Sequence, residues 1–281
     1  MGATQQVLAS YGATAFVGPL DALVAQGAAF RHASSVRRLL SSYTGPACKL
    51  RGNGAGTLQD IAYLADGSLD LAAASALASS DGGTQALWHT AYDNAGVVNA
   101  VQTTDASQPL FGVANEAKGA LQGTGASRFL SLNLGTLPNP SFISFVINDQ
   151  AGTGTRHLLG TSASGGSYCR RATAVTQQSW GTLLASGAGA AGKHTLGFLV
   201  NGVSSVNYVD GIQDGTGDTG NTLLDMSAAM LGRGSNALAV GSWFGGTGNT
   251  ISEFIVFDGN PTGLAGWSGF VAAQKAYFGI A

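Results

Sequence analysis

From about residue 110 onward the apolar residues of this chain fall at every second position, in short runs cut apart by glycine. A period of two is that of a strand whose side chains alternate between two faces. Phe142–Ile147 puts Ile143, Phe145 and Ile147 on one face. His194–Val200 does the same with Leu196, Phe198 and Val200, and Asn201-Gly202 follows as a turn signal. Ile251–Phe257 is apolar on both faces toward its end, which predicts a central strand covered on both sides. Leu158–Thr161, Tyr168–Val175, Trp180–Ser186, Ser205–Val209 and Leu238–Trp243 extend the series. Many short, evenly spaced strands of this kind predict an all-β sandwich. Glycine makes up 43 of the 281 residues. Tight hairpins account for much of that surplus, because glycine reaches positive φ without strain.

The first third reads differently. Over residues 19–41, Leu20, Leu23 and Val24 form one apolar stripe and Ala29, Ala33, Val36 and Leu40 another, which predicts a helix in two pieces with Arg31, Arg37 and Arg38 on a solvated face. Tyr43-Thr44-Gly45-Pro46 then stops it. Lys49–Arg51 is a strand candidate followed by a Gly52-Asn53-Gly54 turn. An alanine-rich helix is predicted over 68–79, an extended stretch over Leu87–Tyr92, and a closing helix over 266–278 with Trp267, Phe270, Val271 and Phe278 on one stripe.

Composition narrows the function classes. Charged residues are 10% of the chain and the net charge is −2, so no basic stripe is available for phosphates and nucleic-acid binding is not expected. No run reaches the ~18 apolar residues of a membrane span. The N-terminus lacks a basic region ahead of an apolar core, which reads as a chain made in the cytosol without a secretory signal. Cys48 and Cys169 stand far apart and read as two buried free thiols. Four scattered histidines offer no zinc spacing.

Individual residues carry weaker signals. Asp93 reads as a turn carboxylate accepting backbone amides. Glu253, flanked by apolar residues in a strand, requires an arginine or amide partner if it is buried. Asp214, Thr216 and Asp218, with Asp225 further on, have some of the spacing of a calcium loop, but Thr219 occupies the place of its turn glycine; the alternative is a solvated loop. Trp88, Trp180 and Trp243 are candidates for stacking on sugar rings, or else belong to the core.

Between about Ala29 and Leu110, the series Tyr43, Gly45, Pro46, Arg51, Asp60-Ile61, Tyr92-Asp93, Gly96, Gln102 and Gln108-Pro109 resembles the arabinofuranosidase-B-like module. Asn94 and Ala95 replace the Gln-Ser usual in the Tyr-Asp-Gln-Ser-Gly block of that family. The second half, about 125–281, is similar to concanavalin A-like, laminin-G-type jelly rolls, on Val240-Gly241, Ile251–Asp258 and the closing helix. The resemblance implies a mainly β, concanavalin A-like jelly-roll sandwich over 29–281, preceded by an N-terminal docking segment over 1–28. The family's enzymes carry their nucleophile in a segment with adjacent cysteines and neighbouring carboxylates, whereas Cys169 stands alone beside Arg170-Arg171. The same module occurs in tailed-bacteriophage virion proteins, so the resemblance implies a non-enzymatic structural protein of a virion surface, a capsid decoration, head fibre or tail component assembled in the host bacterial cytoplasm. Its expected partners are other virion proteins, further copies of itself in a trimer, and host surface glycans. The alternatives are a carbohydrate-binding module and an arabinofuranosidase-type glycoside hydrolase.

Overall fold

The computed structural model describes residues 15–112, 117–122, 128–150, 155–161, 168–172, 175–188, 191–220, 224–233 and 249–281. Its first elements are α1 (Asp21–Val24), β1 (Ala29–Ser35), β2 (Cys48–Gly52), β3 (Leu58–Ile61), α2 (Leu71–Ser80), β4 (Ala86–Ala91), β5 (Ala100–Val101), β6 (Leu110–Gly112), β7 (Ala120–Gln122), β8 (Leu130–Leu132) and β9 (Thr136–Leu137). The second half holds β10 (Ser141–Asp149), β11 (Thr155–Thr161), β12 (Tyr168–Ala172), β13 (Val175–Ser179), β14 (Leu183–Ala188), β15 (Gly192–Val200), β16 (Ser205–Val209), β17 (Ile212–Gly217), β18 (Leu224–Asp225), β19 (Ala229–Leu231), β20 (Thr250–Asp258) and α3 (Trp267–Phe278).

The fold is mainly β, and the described strand pairings are antiparallel. One run of ladders leads from β17 through β16, β15 and β10 to β20, which also carries β1. From β20 it continues through β7, β6, β4, β5, β8, β19, β11, β12 and β13 to β14. β14 then lies beside β17 again. The sheet is therefore barrel-like and nearly closed, with a seam between β14 and β17. This coarser description replaces the jelly-roll sandwich expected from the sequence.

β20 is the hub. It pairs with β1 on one side and β10 on the other, and it is buried along both faces as its apolar pattern predicted. One face joins the large core with Ile143, Phe145, Leu196, Phe198 and Phe254. The other packs Ile255 and Phe257 with Phe142 under α3 and α1, through Phe270, Val271, Leu20 and Leu23. Aromatic stacking reinforces both layers, with Phe145 and Phe254 centroids 5.1 Å apart on one side and Phe142 and Trp267 centroids 4.9 Å apart on the other.

The predicted helix over 19–41 is corrected. Only α1 is helical there, and Ala29–Ser35 forms β1. The helical spacing of Ala29, Ala33 and Val36 lost to ladder bonds with β20, since tertiary pairing outweighs a weak local preference. The arginines move with it. Arg37 is buried rather than solvated, and its Nε and Nη2 donate to Glu253 Oε2 and Oε1 at 2.8 and 3.3 Å. Glu253 also accepts from Ser35 Oγ and Gln274 Nε2, each at 2.8 Å, so one carboxylate ties β1, β20 and α3 together. The helix over 68–79, the strands at Lys49–Arg51 and Leu87–Tyr92, and the closing helix are present within a few residues of the expected bounds.

Two carboxylates fix the first third. Asp93 accepts from the amides of Ala33, Ala95, Val97 and Val98 at 2.7–2.9 Å, which makes it the turn residue expected. Asp81 follows α2 and accepts from the amides of Gly54, Gly56 and Thr57 at 2.7, 3.1 and 2.9 Å. A Cβ at Gly54 would strike the Asp81 carbonyl, so only glycine allows that approach.

Two outcomes are expected. Arg37→Ala strands the Glu253 carboxylate in the interior and lowers unfolding free energy by about 3–5 kcal/mol in urea titrations; a loss within error of zero would contradict the clamp. The hydroxyl and amide of Thr57, with the Gly56 and Gly54 amides, pull the Asp81 carboxyl from 3.8 down to about 2. A depressed folded-state value gives stability that is complete above the unfolded value and is lost as pH falls through the folded one. Asp81→Asn is therefore expected to flatten the acid limb of the stability curve between about pH 4 and pH 2, and an unchanged limb in urea midpoints would count against this anchor.

Candidate functional site

The seam between β14 and β17 is where the molecule departs from a greasy core. β13 alternates burial, and its two buried side chains are Thr176 and Gln178. On β16, across the interior, Ser205 and Asn207 are fully buried at period-two positions. Polar groups taken out of water need partners, and these form a chain of them. Arg171 Nη1 donates to Thr176 Oγ1 at 3.3 Å. Asn207 Nδ2 reaches the Thr176 carbonyl at 3.3 Å and Ser186 Oγ at 2.8 Å. Gln178 Nε2 donates to Asn207 Oδ1 at 2.9 Å, while Trp180 Nε1 donates to Gln178 Oε1 at 2.8 Å.

From Ser186 the chain reaches β17, where Ser186 Oγ donates to Asp214 Oδ2 at 2.9 Å. A Cβ at Gly215 would run into the Ser186 side chain. Glycine there lets the two strands come close enough for the bond to form.

Charge collects at this end of the sheet. Asp149, at the end of β10, lies 2.9 Å from Arg156 Nη1 and 3.5 Å from Arg171 Nε, and all three side chains are almost wholly buried. Burial lowers the Arg171 guanidinium below its ordinary range, against the opposing pull of Asp149, then Asp214, then Asp210. Asp210 also meets His194 Nδ1 at 2.9 Å and accepts from the Thr195 amide at 2.9 Å. Its backbone is in the left-handed region at φ 54°, a conformation uncommon outside glycine. Asp210 and Asp214 both keep partial access to solvent, whereas Asp149 does not. His157, on β11, is buried with the Tyr168 ring edge-on 5.1 Å away. Such a constellation can hold polar ligands and move protons.

Of the residues singled out in the sequence, Trp180 and Asp214 belong to this network and Trp88 and Asp218 do not. Trp88 is buried, its Nε1 donating to the Ala120 carbonyl at 3.1 Å, and Trp180 is fully buried in the network just described. Neither presents a ring face for stacking. Trp243 lies outside the described residues. Asp214 is taken by Ser186, and Asp218 caps the Gly220 amide at 2.7 Å. Among the described residues no three His, Cys, Asp or Glu side chains come together to hold a metal ion. Cys48 and Cys169 are free and buried, and burial raises both thiols. Asp149, Arg171, Asn207 and the His194–Asp210 pair were missed. Arg171 and Asn207 did lie in strands with a period-two pattern, where a polar side chain on the inward face is the signal.

Comparison with known proteins bears on the fold. No family model matches the sequence, and no curated protein matches it. Among solved structures the chain is similar to a GH54 α-L-arabinofuranosidase soaked with a cyclic sulfate inhibitor, at a TM-score of 0.62. It is similar also to a Glu-to-Gln mutant of a GH54 α-L-arabinofuranosidase soaked with 4-nitrophenyl α-L-arabinofuranoside (0.67), and to an arabinofuranosidase complexed with arabinofuranosyl-α-1,2-xylobiose (0.64). Each is 16% identical and the match covers 92% of this chain. The chain spans about two thirds of their length, at 66%, 66% and 65%. The likeness expected from the N-terminal residues thus extends over nearly the whole fold. It also corrects the expectation of a non-enzymatic virion structural protein, because the solved chains that share the architecture are glycoside hydrolases.

Asp149→Ala leaves Arg156 and Arg171 facing each other in the interior without their shared carboxylate. The expected loss is about 3–5 kcal/mol of unfolding free energy. A wild-type urea midpoint would show that the cluster is not a closed ion-pair unit.

Proposed function

We propose that this chain is a carbohydrate-active protein of the glycoside hydrolase type, directed at arabinofuranosyl-bearing glycans, with its site at the seam between β14 and β17. The observation that supports the reading most is a set of paired carboxylates, Asp149 on Arg171, Asp214 on Ser186 and Asp210 on His194, in a fold that is similar to arabinofuranosidases over 92% of the chain. Hydrolysis of a glycoside calls for two carboxyl groups, roughly 5–5.5 Å apart for retention and 6.5–9.5 Å for inversion. Asp210 and Asp214 are the proposed pair, since both reach solvent. His194 adjoins Asp210 and supplies a second titrating group beside it. Arg171 and Asp149 hold the local charge, and the Thr176–Asn207–Gln178 network keeps the inner wall rigid behind them.

The test is release of 4-nitrophenol from 4-nitrophenyl α-L-arabinofuranoside by the whole chain. Asp214→Asn and Asp210→Asn are each expected to lower kcat by about a hundredfold or more, with thermal unfolding close to wild type. Turnover that survives both substitutions would move the chemistry away from the seam. If the wild type releases nothing but is retained on immobilised arabinoxylan, the chain is a glycan-binding module and the hydrolytic reading fails.

A further inference from the structure

An opening with a volume of about 640 Å³ lies away from the seam, along β5, β8 and β19. That is within the roughly 300–1,000 Å³ typical of small-ligand sites. Among its lining residues are Asn99, Thr103, Phe129, Ser131, Asn133 and Ser227, and no lining residue is charged.

The residues of the N-terminal motif build its wall. Gln102 Oε1 accepts from the Thr104 amide at 3.0 Å, and Gln102 Nε2 donates to the Phe129 carbonyl at 3.3 Å. Gln108 Nε2 donates to the Gln102 carbonyl at 2.9 Å, and Arg128 Nη1 reaches the Gln108 carbonyl at 2.6 Å. Asn99 Oδ1 is fixed by the Asp93 amide at 2.9 Å, and Asn133 Oδ1 by the Gly135 amide at 2.9 Å. Both side chains are therefore oriented with their amide donors still to be used. The hydroxyls of Thr103, Ser131 and Ser227 add rotors that donate or accept. The Phe129 ring supplies an apolar surface, with the Arg233 guanidinium over one face 4.9 Å from its centroid.

The geometry points to a second ligand site here, one that takes a short neutral oligosaccharide. Among the described residues no lining side chain is charged, and Arg233 is engaged on the Phe129 ring, so neutral polar groups suit the lining better than phosphate or carboxylate. Amide donors, hydroxyl rotors and one aromatic face are the complement of a sugar, which presents hydroxyls at its rim and C–H groups on its faces. An extended peptide is disfavoured because β8 is paired on both sides, with β5 and β19, and offers no sheet edge to add to. The choice of a sugar rests on the carbohydrate reading proposed for the seam. The place of binding does not, since it is lined by different residues.

Isothermal titration of the whole Asp214→Asn chain with arabinofuranosyl-xylotriose tests this, the substitution being there to prevent turnover. Ser131→Arg, at an exposed position, fills the opening without touching the core. It is expected to weaken binding about tenfold or more in that background, and Thr103→Ala with Asn133→Ala by several-fold. In the otherwise wild-type chain, Ser131→Arg is expected to leave turnover of 4-nitrophenyl α-L-arabinofuranoside unchanged. Undiminished binding in both groove variants would overturn the proposal, as would the absence of any binding by the Asp214→Asn chain. Binding that depends on Ser131 in a chain without turnover would keep the groove and sink only the catalytic reading of the seam.

Discussion

The rest of the structure depends on a carboxylate in the middle of its most buried strand. β20 lies between β1 and β10 with both faces covered, so a charge placed there has no water to stabilise it. Glu253 survives because four donors converge on it, from β1, from the segment that follows it and from α3, two of them from one guanidinium. That requirement dictates where Arg37 goes, and Arg37 fixes the chain leaving β1. Its Nη1 also holds the Ala273 carbonyl of α3 at 3.1 Å. The first third and the closing helix are thereby locked to the same strand. An apolar pair of the same volume would hold the layers together as well, but would not specify which segments meet.

The opposite end of the sheet follows a different rule. There the ladders stop at β14 and β17, and the interior changes from Phe and Leu to Thr, Gln, Asn and Arg. A core can fill such a space with apolar side chains at less cost in desolvation. The polar lining instead extends one hydrogen-bonded chain from Trp180 to Asp214, with carboxylates gathered at its open end. Sheets that nearly close leave one place where strands approach without pairing, and the Ser186–Asp214 bond sits at that place.

Much of the body was legible because period-two burial is a strong signal when both faces are covered. Ile251–Phe257 read as a central strand, and is one. Ala29–Ser35 was misread because small alanines fit a helical stripe and a strand equally well, and only the partner strand 220 residues away decides between them. Glu253 was legible as a residue in need of a partner, but the identity of Arg37 was not, since its burial depends on α3. The seam was illegible for a related reason. Asp149, Arg171, Asn207 and Asp214 come from four strands and share no motif. Trp88 and Trp180 are core residues because a large ring at the end of an apolar strand serves the core at least as readily as a ligand.

The most direct measurement is a crystal structure of the Asp214→Asn chain soaked with 4-nitrophenyl α-L-arabinofuranoside. The sugar ring is predicted between β14 and β17, with the Asp210 carboxylate and the residue at 214 within hydrogen-bond distance of it. A sugar bound only elsewhere on the molecule, with the seam closed over its own side chains, would contradict the placement of the site.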